Sequence, residues 1–148
     1  MADFLTPAQR SERMSRIKSR DTKPELVLRS AMHRKGFRFR VNDTRLPGKP
    51  DIVFPKYRAA VFVHGCFWHR HPGCSIATTP KSNTAFWMEK FDRNVARDAR
   101  SREALEASGW RVFTVWECDL KSSAKIAEAA ARLAEQLLAS RPTGHAEV

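Results

Sequence analysis

The stretch DIVFPKYRAAVFVHGCFWHRHPGC, residues 51–74, decides how this chain folds. It opens on a short apolar run, 51–54, turns through Pro55-Lys56-Tyr57-Arg58, and enters a second apolar run, 59–64. Runs of this length, rich in β-branched and aromatic side chains and bounded by turn residues, read as buried strands. The second run ends at His64, and the residues after it include Cys66, Phe67, Trp68, His69, His71 and Cys74. Metal-ligating and stacking groups are therefore expected on a loop that a sheet holds in place.

Working outward, "LPGKP" (46–50) makes a turn, and "FRFRV" (37–41) alternates with period two and predicts a strand. Before it, Thr22-Lys23-Pro24-Glu25 opens a helix that carries Leu26, Leu28, Ala31 and Met32 and stops at Gly36. Thr6-Pro7-Ala8-Gln9 has the shape of a capping box and starts a short basic helix. On the other side, Asn83 or Thr84 caps a long helix to about Ser108, with Phe86, Met88, Phe91, Val95 and Leu105 among its apolar positions. "WRVFTVW" (110–116) is the next strand, "SSAKIAEAAARLAEQLLAS" (122–140) a closing helix, and "RPTGHAEV" (141–148) a frayed tail. The order predicts an α/β fold with a small mixed sheet. At 148 residues the chain supports one core: a single domain over 1–140 with a basic helical arm at about 1–20.

The formal charge is +11, from 27 Lys and Arg against 16 Asp and Glu. In the first forty residues eleven basic side chains face only Asp3, Glu12, Asp21 and Glu25. Such an arm attracts a polyanion and releases its counterions on binding. The sequence shows no signal-peptide pattern and no apolar run near the roughly 20 residues that a membrane span requires, so a cytoplasmic protein with no membrane partner is expected. Three cysteines, an odd number, argue against a disulfide framework.

Cys66, His71 and Cys74 form C-x4-H-x2-C, and Cys118 ends the strand "WRVFTVWEC". If that strand runs beside the one ending at His64, a Cys3His tetrahedron results, an arrangement typical of structural zinc. Spacing leaves His69 open as the alternative to His71, and a Cys66–Cys74 disulfide or three unconnected buried cysteines as the plain reading. Four protein ligands leave no open position for water, so catalysis needs another centre. Asp51 at a strand start, His64 at the next strand's end and Asp98 in "NVARDARS" are the candidates. Carboxylate oxygen suits Mg2+ beside a phosphate. The duller reading has Asp51 capping a turn and Asp98 paired with Arg97 or Arg102.

"LPGKPDIVF", "AAVFVHGCFWHRHPGC", "TAFWMEKFDRNVARD" and "GWRVFTVWECDL" resemble, in that order, the very short patch repair (Vsr) DNA mismatch endonucleases, from about Arg10 to Leu120. The resemblance implies a restriction-endonuclease-like fold: a central mixed sheet flanked by helices, plus a structural zinc site. It implies a Mg2+-dependent enzyme that nicks double-stranded DNA on the 5′ side of the thymine in a T:G mismatch, the product of 5-methylcytosine deamination. The family's catalytic aspartate falls on Asp51, its histidines on His64 and His69, its second acid on Asp98 and an N-terminal glutamate on Glu25. Its zinc ligands fall on Cys66, His71, Cys74 and Cys118. Phe67 and Trp68, tied between zinc ligands, are expected to wedge between base steps, and the likeness adds Trp87 and, from the basic arm, Met14.

Two departures from relatives stand out. The broader nuclease superfamily has D/E-x-K on the strand after its Pro-Asp, where this chain has Phe62-Val63-His64. Some relatives carry Thr before the first histidine where this chain has Val63, which leaves the backbone carbonyl as the group available to Mg2+. A monomer is expected, with mismatch-repair proteins as candidate further partners. The competing readings are a zinc-stabilised DNA-binding protein without catalysis, and a nuclease with a different target.

Overall fold

The computed structural model describes residues 21–139; the basic arm with Met14 and the 141–148 tail lie outside the described residues. Helix α1 spans Lys23–Arg34. Pro24 occupies its first turn, where a missing N–H costs nothing, and Gly36 with φ +93° follows its end. Thr22 sits at the N-cap without a side-chain cap bond. Its hydroxyl donates instead to Glu25 Oε2 at 3.1 Å, while Glu25 Oε1 accepts the Asp21 N–H at 2.8 Å. The carboxylate thus reaches back to the helix start as the glutamate of a capping box does.

The four strands are β1 (Arg40–Val41), β2 (Ile52–Phe54), β3 (Ala59–His64) and β4 (Arg111–Trp116), in the order β1-β2-β3-β4. The first two pairings are antiparallel and β3–β4 is parallel, its crossover made by α2 (Thr84–Ala107). Helix α3, Ser123–Ala139, closes the described chain.

The expected strand over 37–41 is corrected to two residues. The Phe37 N–H is taken by Met32 O at the end of α1, 3.2 Å away, and the ladder with β2 begins only at Arg40, opposite Val53. The alternation survives in the side chains: Phe37 and Phe39 both pack edge-on against Phe54, with centroids 6.0 and 5.7 Å apart. In β2, Ile52, Val53 and Phe54 are all fully buried, as the continuous apolar run requires.

Ile52, Phe54, Ala59, Val61 and Val115 share one core with Leu28 and Met32 of α1 and Leu133 and Leu137 of α3. Val53 and Ala60, which alternate with them, belong to the opposite face. On that face Arg102 of α2 reaches Thr114 Oγ1 at 3.2 Å. The result is an α/β layer structure, a mixed sheet with helices on both sides. Among the described residues no helix is long and apolar enough to cross a membrane.

Candidate active site and metal cluster

β3 is buried over Ala59–Val61 and emerges over Phe62–His64, so its C-terminal end delivers side chains into a cleft of about 1130 Å³. Glu25, Asp51, Val63, His64, His69 and Asp98 all line that cleft. Asp51 precedes β2 beside β3; its N–H donates to Val61 O at 3.0 Å, and its Oδ2 accepts the Val63 N–H at 2.6 Å. Oδ1 has no hydrogen-bond donor among the described residues. Burial, together with the nearby Glu25 carboxylate and against the Val63 N–H, pushes the Asp51 carboxyl up to about 7.

His64 and His69 stack face to face, with centroids 3.9 Å apart and planes 3° from parallel. His69 Nδ1 lies 2.6 Å from Asp98 Oδ2. Burial, then the charge on His69, pushes the His64 imidazole down to about 4. Burial works to raise the Asp98 carboxyl, but the His69 hydrogen bond and the neighbouring imidazoles hold it below the usual carboxylate range. Asp98 therefore pairs with His69, not with the flanking arginines that the plain reading offered.

Glu25 is 2% exposed, and besides Asp21 and Thr22 it takes a donor from Arg29 Nη2 at 3.0 Å. Its oxygens are engaged by this chain.

The parallel β3–β4 register pairs His64 with Trp116, so the residues just beyond each strand lie side by side. The donor atoms of Cys66, His71, Cys74 and Cys118 all fall within 4.8 Å of one another. His71 Nδ1 is 3.6 Å from Cys66 Sγ and 3.4 Å from Cys118 Sγ. Tetrahedral zinc with its usual bond lengths separates N from S by about 3.5 Å, so the cluster fits that ion. His71, not His69, turns its ring to the sulfurs and stacks on Trp116 at 4.2 Å. Without an ion, burial pushes the Cys66 thiol up to about 12; a bound cation reverses that preference by holding the thiolate. All three cysteines are free, which removes the disulfide alternative.

Phe67, Trp68 and Trp87 are half-buried and meet edge-on or tilted, with centroids 5.1 to 6.1 Å apart. Phe67 and Trp87 rest on Phe91, which is 1% exposed, while Phe86 stands 56% exposed beside Trp87. The Arg70 guanidinium lies 4.0 Å over Phe91 and donates to the carbonyls of Phe67, Ala77 and Thr78, tying the loop shut.

Sequence reasoning missed Glu117, whose Oε1 accepts the Cys66 N–H at 2.9 Å and which lines the cleft. The parallel register was the signal that could have found it: once β4 runs beside β3, Glu117 and Cys118 must flank Gly65 and Cys66. Arg70 left no signal, because its partners are carbonyls that carry no sequence pattern.

The sequence profile described as DNA mismatch endonuclease Vsr matches residues 2–75. The chain is 46% identical over 137 residues to the type II nicking enzyme V.NmeAIP of Neisseria meningitidis serogroup A, covering 93% of this chain and 97% of that protein. It is 50% identical over 120 residues to the type II nicking enzyme V.XorIIP of Xanthomonas oryzae, covering 81% and 88%. It is 45% identical over 130 residues to the DNA mismatch endonuclease Vsr of Escherichia coli, covering 88% and 83%. On likeness of this depth over nearly its whole length, the chain belongs to the Vsr DNA mismatch endonuclease family.

Proposed function

We propose that this endonuclease nicks duplex DNA on the 5′ side of the thymine in a T:G mismatch, as a monomer of restriction-endonuclease-like fold. The observation that carries the reading is the gathering of Asp51, His64, His69 and Asp98 in one cleft, with Trp68 of the aromatic cluster on its wall. An apolar wedge costs a few kcal/mol of unstacking, and a mismatch, already poorly stacked, lowers that cost. Phe67, Trp68 and Trp87 then read deformability rather than base edges.

Asp51 and the Val63 carbonyl would hold Mg2+. The fit rests on the open Oδ1 of Asp51 and on a carboxyl that burial and the neighbouring Glu25 push up, a preference that a bound cation would reverse. When bound, the ion supplies Lewis acidity at the scissile phosphate. Asp98 fixes the proton of His69 on Nδ1 and leaves Nε2 to take a proton from the attacking water. His64 remains neutral against that ring and offers a hydrogen bond to the phosphate. Glu25, engaged by Arg29, Thr22 and Asp21, fixes the cleft wall beside Asp51. The Cys66–His71–Cys74–Cys118 cluster would hold Zn2+ and anchor the loop.

The test is a nicking assay on T:G and fully paired duplexes, with and without Mg2+, the break being mapped on a sequencing gel. Cleavage of the paired duplex at an equal rate, or cleavage indifferent to Mg2+, defeats the proposal; binding without cleavage favours a non-catalytic DNA-binding protein.

A further inference from the structure

One cation enters the cleft on a backbone that lysine seldom adopts. Gly48 and Lys49 both have positive φ, +75° and +51°. Glycine takes that conformation freely; a lysine held there marks a constraint imposed from outside. Three contacts impose it. The Lys49 N–H donates to Leu46 O at 3.1 Å, and the Asp43 N–H donates to Pro50 O at 3.3 Å. A Cβ added to Gly48 would lie 2.6 Å from the Ser101 Cβ and Oγ, so the turn is pressed onto α2, the helix that carries Asp98.

Lys49 lines the cleft two residues before Asp51, and its ammonium has no partner among the described residues. Lys90 and Arg97 line the same cleft from α2. Glu25, Asp51, Asp98 and Glu117 place negative charge in the path of an entering phosphodiester, and a cation on the turn that leads into Asp51 offsets that repulsion. A glycine or asparagine would suit this turn with less strain, so the turn itself does not explain the lysine.

We propose that Lys49 binds a backbone phosphate of the strand being cut, donating its ammonium beside Asp51. The assignment deepens the nicking reading above and rests on it. The full-length protein with its cluster ion bound is compared with Lys49→Met, Lys49→Arg and Lys49→Gly, measuring duplex affinity across a KCl series and single-turnover nicking.

Lys49→Met is expected to weaken binding roughly tenfold at low salt. It is also expected to flatten the slope of log affinity against log salt by about 0.9, the signature of one phosphate. Lys49→Arg keeps the slope. Lys49→Gly loses it as Met does, although its melting temperature matches or exceeds that of the parent, which separates charge from strain. Parental slopes in the Met and Gly variants overturn the assignment, as does recovery of binding in Lys49→Gly alone. The slope needs no cleavage, so a parent protein that nicks neither duplex would sink the nicking reading while the salt series still decides Lys49.

Discussion

His64 and His69 lie 3.9 Å apart as parallel plates, and only one of them faces a carboxylate. Two imidazolium rings at that separation repel strongly, so the pair carries at most one proton beyond neutrality. It is His69 that Asp98 orients.

The first prediction concerns that asymmetry. His64 is pushed down to about 4, so it stays neutral through the range where a free histidine charges. Its contribution to stability is full above the unfolded pKa near 6.5 and is lost as pH falls toward 4, because the unfolded chain takes the proton first. Ring chemical shifts followed by NMR should show no His64 titration above about pH 5; a midpoint near 6.5 would refute the geometry.

Asp51 has the opposite sign. In the metal-free site its carboxyl is pushed up to about 7, so its contribution to stability is full below the unfolded value of 3.8 and is lost as pH rises through 7. Asp51→Asn should therefore melt a few degrees above the parent at pH 8.5 in Mg2+-free buffer, with the gap closing at pH 4. The same variant should lose nicking by about a thousandfold or more while mismatch binding persists. Nicking that survives, or a melting gap that ignores pH, would contradict the assignment.

Cys118→Ser and His71→Ala should each leave the purified protein with well under one zinc per chain by elemental mass spectrometry. Each should also lower the melting temperature by several degrees, because the loop from Gly65 to Asn83 has no regular structure of its own. Full zinc content in both variants would remove the cluster from consideration.

Phe67→Ala and Trp68→Ala should cut the preference for T:G over paired duplex by roughly tenfold in equilibrium binding, with paired-duplex affinity nearly unchanged. Phe67→Ala should also cost the fold about 1–2 kcal/mol by denaturant melting, since the ring rests on Phe91 while remaining half-exposed. Undiminished preference in both would return the cluster to a packing role.

The strands at 51–54 and 59–64 were legible because a strand covered on both faces has no polar alternation to disguise it. Their ends carried Asp51 and His64, and the distance between those residues followed from the antiparallel pairing. The helix over 84–107 was legible in extent but not in orientation. Of its apolar side chains Phe91 and Leu105 are buried, whereas Phe86, Met88 and Val95 are exposed. Which face turns inward is fixed by the sheet, not by the helix's own composition. The choice between His69 and His71 was not open to spacing, because it depends on how the loop folds around Arg70 and on Trp116 offering its face to one ring. Glu117 and Arg70 act through contacts with backbone, Glu117 across a long sequence separation, which no local pattern announces.

Trp116 lies flat on His71 and edge-on to His64, 5.3 Å away, so one indole touches both the Cys3His cluster and the stacked histidines of the cleft. Whatever disturbs one is therefore felt by the other through a single rigid plate. Stripping the cluster with a chelator should silence the nuclease even where no chelator reaches its cleft, and inserting one residue anywhere in 111–116 should cripple both together.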